Sequence, residues 1–164
     1  MKWSRQMFLS CNVFFALLLS GCETTSPGIQ SARHDLAAKI ASEAPGDYYI
    51  GRRYYKPDFK FWGYVRKPGQ SWATAQLVML NEKEKLAPDR EAQKFGSDNN
   101  YEYKLSGYFS GEKVYEPASN TIYPEFVLTK IELLSSNPAP IFASQRSGQA
   151  AARTTRLTIE KPEM

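Results

Sequence analysis

Between residues 59 and 66 the chain changes side-chain character at every step. Phe59, Phe61, Gly63 and Val65 fall on one side, and Lys60, Trp62, Tyr64 and Arg66 on the other. A period of two belongs to an extended strand, whose successive side chains point to opposite faces; a helix needs apolar residues three and four apart. The pattern returns over residues 101–110, where Tyr101, Tyr103, Leu105, Gly107 and Phe109 oppose Glu102, Lys104, Ser106 and Tyr108. It returns again over 126–134, with Val127, Thr129, Ile131 and Leu133 on one face. Residues 72–80, entered through the turn signal Lys67-Pro68-Gly69-Gln70, read as another strand with Ala73, Ala75, Leu77 and Met79 on one side. Gly111-Glu112 reads as a turn into a short strand through Val114 and Tyr115, and 117–123 as a loop tipped by Ser119-Asn120. So many alternating segments commit the chain to a mainly β fold.

Two stretches break the alternation. Residues 31–44 read as a short helix: Ser31 is an N-cap, Leu36 and Ile40 share a face, and Pro45-Gly46 ends it. With so few long apolar residues, that helix is weak, and it either docks on the barrel or frays. Residues 81–100 are polar, and Pro88 sits where a proline opens a second short helix. From residue 135 the composition shifts to Ser, Ala, Pro, Gln and Arg, which bury too little apolar surface to stay folded. Residues 153–160 have the alternation of an edge strand within that tail.

Five strands with a polar insert between the early and late ones resemble an OB-like small barrel. The resemblance covers 47–134 and implies one small five-stranded antiparallel barrel, with a short N-terminal helix and a flexible C-terminal tail. Gly63 and Gly107 are then the bends that let long strands curl. An SH3-like barrel or an antiparallel sandwich satisfies the same alternation.

The chain begins differently. Lys2 and Arg5 precede an apolar run that ends at Leu19, with no acidic residue before Cys22. That run falls short of the roughly 20 residues a membrane span needs, and it fits a cleaved secretory signal. Leu19-Ser20-Gly21-Cys22 resembles the lipobox of bacterial lipoproteins. The resemblance implies cleavage before Cys22 and a diacylglyceryl group on its thiol, the only covalent group expected on the chain. Two or three acyl chains, at about 0.8 kcal/mol per buried CH₂, hold a protein on a membrane almost permanently. By the same resemblance Glu23, where the sorting rule of diderm bacteria reads Asp for retention, directs the protein to the outer membrane. The chain divides into a signal (1–21), a tether with helix (22–46), the barrel (47–134) and a tail (135–164). Its two cysteines, Cys11 and Cys22, are used up by processing and acylation, so no disulfide supports the domain.

Function has fewer signals. His34 is the single histidine and Asp35 lies beside it, but adjacent residues on a helix do not face one another. Glu112 and Glu116 read as solvated strand ends. Asp98-Asn99-Asn100 has oxygen ligands for a hard cation, or equally the residues of a turn before Tyr101. No catalytic, metal or cofactor residue is assigned. Tyr48, Arg52, Arg53 and Tyr54 interleave aromatics with cations, and Lys60, Trp62, Tyr64 and Arg66 form the outward side of the next strand. Together they make a candidate binding face for an envelope protein or a cell-wall glycan. Nucleic acid suits the same residues, but the envelope address argues against it. The bland alternatives are that the tyrosines of 48–56 cover a barrel end with their cations solvated, and that Trp62 and Tyr64 pack beneath the N-terminal helix or against the tail.

Overall fold

Gly63 and Gly107 sit where a strand lies very close to its neighbour. In the computed structural model a Cβ on Gly63 would stand 2.5 Å from the Arg52 carbonyl oxygen, and one on Gly107 would stand 2.2 Å from that of Val127. Neighbouring strands cross there too closely for any side chain. The structure describes residues 27–142 and 161–163, with backbone only for Pro27, Ile29 and Gln30. The signal, Cys22 and its tether, and the alternating stretch 153–160 lie outside the described residues. Contacts divide the chain between Ser31 and Ala32, and the barrel with everything packed on it belongs to the second unit.

The elements run α1 (Pro27–Ala41), β1 (Tyr49–Lys56), β2 (Lys60–Arg66), a 3₁₀ turn (Trp72–Thr74), β3 (Gln76–Asn81), α2 (Pro88–Glu91), β4 (Glu102–Glu116) and β5 (Thr121–Ser135). The strands close into a barrel in the order β1-β2-β3-β5-β4, which is the OB-like architecture that the alternation pointed to. Every neighbouring pair is antiparallel except β3 with β5, which run parallel over Met79–Asn81. A parallel neighbour needs a crossover connection, here the path through α2 and β4. No helix among the described residues is long and apolar enough to cross a membrane.

The five strands are not quite the expected five. Tyr49–Lys56, read as a mixed basic and aromatic stretch, is the first strand. The two strands expected around Gly111 are one, because β4 passes through a register shift between Phe109 and Lys113 without turning. Other details hold: Pro88 opens α2, and Leu36 with Ile40 forms the buried face of α1.

Two cores result. Inside the barrel, Val65, Val78, Tyr103, Leu105, Phe126 and Leu128 pack together and leave no room for a water molecule. Outside it, Leu36 and Ile40 of α1, Ile50, Tyr54, Phe59, Trp62, Tyr64, Trp72, Ile141 and Phe142 form a second cluster. Strand β2 therefore has a core on each face. The start of the expected tail belongs to the fold, because Ile141 and Phe142 are buried and the Glu163 amide donates to the Ile141 carbonyl at 2.9 Å. Two large hydrophobic side chains, Ile141 and Phe142, dock a segment that composition alone marks as unfolded.

Two expected faces change for one physical reason, a break in the alternation. Lys60 has φ 59°, a left-handed kink that moves Phe59 from the barrel interior to the outer cluster. In β5 the register jumps from Lys130 opposite Ser106 to Leu128 opposite Gly107, leaving Thr129 as a bulge. Phe126 and Leu128 before the bulge and Ile131 after it serve the interior, and Leu133 is left exposed.

Candidate functional site

Seven of the eight residues expected to form a binding face are not presented to solvent. Arg52, Arg53, Tyr54, Trp62, Tyr64 and Arg66 are buried, Tyr48 is half-buried, and only Lys60 is exposed. The outward side of β2 is covered by α1, the 3₁₀ turn and Phe142, so it is not an open platform. Tyr54 stacks on Trp62 with ring centroids 4.7 Å apart and an interplanar angle of 20°. The Tyr48 hydroxyl donates to the Ala44 carbonyl at 2.5 Å, and the Lys104 ammonium lies 4.5 Å from its ring centroid. The aromatics thus follow the bland alternatives; the arginines do not, because they are paired rather than solvated.

Buried cations need partners, and each arginine finds carboxylates from distant parts of the chain. Arg52 lies opposite Glu102 in the β1–β4 ladder and donates to Glu102 Oε2 through Nε and Nη2 at 3.2 and 2.9 Å. Burial pushes the Glu102 carboxyl upward, but the Arg52 charge and the Lys39 ammonium outweigh it and hold the group below its ordinary value. Arg66 makes a two-pronged pair with Glu43 at 2.6 and 2.5 Å. Between Arg52 and Arg66 lies the fully buried Trp72, whose ring centroid is 5.2 and 4.6 Å from the two guanidinium carbons.

Arg53 points into the end of the barrel beneath α2. Its Nε and Nη2 donate to Glu82 Oε1 at 2.8 and 2.7 Å, and Nη1 lies 2.9 Å from Asp98 and 2.6 Å from Asp89. Tyr103 donates to the second Asp98 oxygen at 2.8 Å. Burial raises the Asp98 carboxyl above its ordinary value, against the pull of Arg53. Burial and the bond to Asp98 push the Tyr103 phenol well above the usual range.

The residues considered for a hard cation are used by the protein itself. Asp98 holds Arg53, Asn99 bonds the backbone of Tyr55 through both side-chain ends, and Asn100 Oδ1 accepts from Arg52 and Tyr54. The described residues contain no metal-ligating cluster. His34 and Asp35 are exposed on α1. Glu116 is buried, and its carboxylate accepts from the Ala118 and Ser119 amides; it caps the β4–β5 turn instead of lying in solvent.

An open cleft of about 550 Å³ lies at this end of the barrel. Phe61, Met79, Leu80, Leu86 and Val114 give its lining an apolar part, and Lys60, Lys83, Arg90 and Glu125 a charged one. Asn81 donates to Glu125 at 2.9 Å, and Glu82, which also borders the cleft, is taken up by Arg53 and the Ala87 amide. The Lys60 and Lys83 side chains, both exposed, have no acidic partner among the described residues. Beside the cleft, Tyr55, Phe61 and the exposed Phe95 pack with ring centroids 5.0 to 6.0 Å apart.

Of the cleft residues, sequence reasoning had singled out only Lys60. The others come from six separated stretches and share no motif, and Lys83-Glu84-Lys85 reads in the sequence only as part of a polar connection. Comparison with protein-family models, with curated proteins and with solved structures gives no match.

Proposed function

We propose that this chain is a lipid-anchored envelope protein whose barrel is a binding module for a partner protein or a cell-wall glycan. Anchoring through Cys22 localises the domain at the membrane, in the outer membrane of a diderm cell. There a high effective concentration lets modest contacts suffice. The observation that carries the reading is the cleft, of ligand-pocket size, whose lining combines apolar side chains with two lysines that have no acidic partner among the described residues. Its position, between the β1–β2 turn and the β4–β5 arm, is where OB-type barrels take their ligands.

A second reading, an accessory subunit of an envelope complex, has its own support. Tyr115 and Ile122 are direct cross-strand partners on the β4–β5 arm, and both are exposed. Two such exposed apolar neighbours on adjacent strands suit a protein contact.

A photo-crosslinking residue at Leu86 in the cleft, and another at Ile122 on the arm, test both readings in intact cells. A discrete adduct from Leu86 supports the binding module. An adduct from Ile122 alone transfers the function to the arm, and none from either site, in a correctly localised protein, refutes both. The anchor is tested separately: Cys22→Ala abolishes incorporation of labelled palmitate and releases the protein from the membrane fraction. Retention of the label would place the lipid elsewhere.

A further inference from the structure

We propose that the cleft takes an acidic peptide segment of a partner protein, with carboxylates at Lys60 and Lys83 and apolar side chains on Met79, Leu80, Leu86 and Val114. The proposal rests on reading the barrel as a binding module and names the ligand class.

Charge is the first argument. Of the two carboxylates in the cleft, Glu82 is ion-paired with Arg53, whereas Glu125 accepts from the neutral Asn81 amide and keeps its charge. Arg90 is engaged as well, with its guanidinium 4.4 Å from the Phe61 ring centroid and 3.6 Å from Glu82. The lysines are not. Lys60 also stands directly opposite Lys56 in the β1–β2 register, and like charges in facing positions destabilise a sheet. Asp58, in the turn between them, forms no ion pair among the described residues. Lys60 takes φ 59° as the left-handed residue that closes this hairpin, where the Phe59 amide donates to the Lys56 carbonyl at 3.1 Å. A bound carboxylate offsets the lysine repulsion.

The lining decides between macromolecules. A sugar or a base needs an open aromatic face to stack on; among the described residues the lining has one aromatic, Phe61, and the exposed Phe95 packs against it beside the cleft rather than in the lining. The Phe61 ring already carries two guanidinium groups, those of Arg90 at 4.4 Å and Arg53 at 5.1 Å. The rest of the apolar lining is aliphatic or thioether. Such a surface suits peptide side chains, and the pliable Met79 adapts to several shapes.

The test uses the mature lipidated chain in nanodiscs, panned against a displayed library of random peptides. The expected winners combine Asp or Glu with Leu, Ile, Val or Met, and bind more weakly as salt is raised. Reversing both charges, Lys60→Glu with Lys83→Glu, weakens them about tenfold or more, because carboxylates then face carboxylates. Changing the acids of a winning peptide to amides does the same, whereas Lys130→Glu, on β5 outside the cleft, leaves binding unchanged. A fold defect is separated by melting: Lys60→Glu removes the repulsion with Lys56 and leaves the midpoint equal or higher. Winners without acids, or winners indifferent to the double reversal, overturn the proposal. If muropeptides bind at these lysines and peptides do not, the binding module stands and the peptide assignment falls. A cleft that binds neither and gives no crosslink from Leu86 removes the reading beneath it.

Discussion

Replacing Arg53 with methionine keeps most of the side-chain length and deletes one positive charge facing three carboxylates. Glu82, Asp89 and Asp98 all lie within 2.9 Å of the guanidinium, and the residues of the cluster are nearly inaccessible, with Arg53 itself 2 % exposed. Each acid keeps one other donor: the Ala87 amide for Glu82, the Gly96 amide for Asp89 and the Tyr103 hydroxyl for Asp98. Arg90, at 3.6 Å from Glu82, offers a partial replacement. The loss is therefore that of one broken buried ion pair, about 3–5 kcal/mol, and not three such losses added together. Against a domain stability of about 5–15 kcal/mol, this is a large fraction. With a urea dependence of about 1–3 kcal/mol per molar, the midpoint falls by about 2 M. Urea titration followed by tryptophan fluorescence reads it directly, since Trp62 and Trp72 are both buried.

The same variant carries a pH signature. Asp98 already titrates above its ordinary value of 3.8 because of burial, with Arg53 opposing the shift. Removing Arg53 raises it further. A carboxyl raised in the folded state favours folding below its unfolded value, and that contribution is lost as pH rises through the folded value. The deficit of Arg53→Met relative to the parent is accordingly largest at neutral pH and shrinks on acidification. Arg53→Lys recovers less than half of the stability, because an ammonium cannot reproduce the fork that reaches all three acids. A loss below about 1 kcal/mol at neutral pH would refute the argument. It would mean that water reaches the cluster and that Arg53 is free to meet a ligand.

Trp72→Ala, which empties the space between Arg52 and Arg66, costs about 3–5 kcal/mol in the same titration. Trp72→Phe costs less than half as much, since the indole N–H has no acceptor among the described residues. Gly107→Ala drives a Cβ to 2.2 Å from a carbonyl oxygen and against the Phe126 ring, and loses about 1–3 kcal/mol. An unchanged melting midpoint would show that the strands separate easily at that crossing. Glu102 titrates below its ordinary value of 4.5, held there by Arg52 and Lys39 against the effect of burial. Its stabilisation is complete above that value and disappears as pH falls through the lower folded one. Acid titration of Glu102→Gln therefore shows a shallower decline below pH 4.5 than the parent, and parallel curves would assign the acid sensitivity elsewhere.

The residues that made the fold legible are those whose chemistry is local. Alternation around Gly63 and Gly107, the proline of α2 and the Leu36–Ile40 pair each state their role within a few positions. Strand β1 was harder because Ile50-Gly51-Arg52-Arg53 places an arginine on each face, and an arginine in sequence looks solvated. Its burial depends on acids far away: Glu102 is 50 residues from Arg52, while Glu82 and Asp98 are 29 and 45 from Arg53. Hydrophobic periodicity cannot carry that information, because a guanidinium is apolar or ionic according to its partner. The bulge at Thr129 is equally silent, since one extra residue in a strand leaves composition unchanged while reversing every face beyond it.

Lys60 shows what the arginines taught once the ladder is known. Arg52 faces Glu102 across β1 and β4, whereas Lys60 faces Lys56 across β1 and β2. Both positions set a cation against a charged neighbour in a defined register, yet only one pair is attractive. Since facing charges interact at short range, the attractive pair belongs to stability and the repulsive one is a cost the fold does not require. An exposed cation that the sheet leaves in conflict, in the lining of a partly apolar cleft, is therefore better placed to meet a ligand than any of the buried arginines.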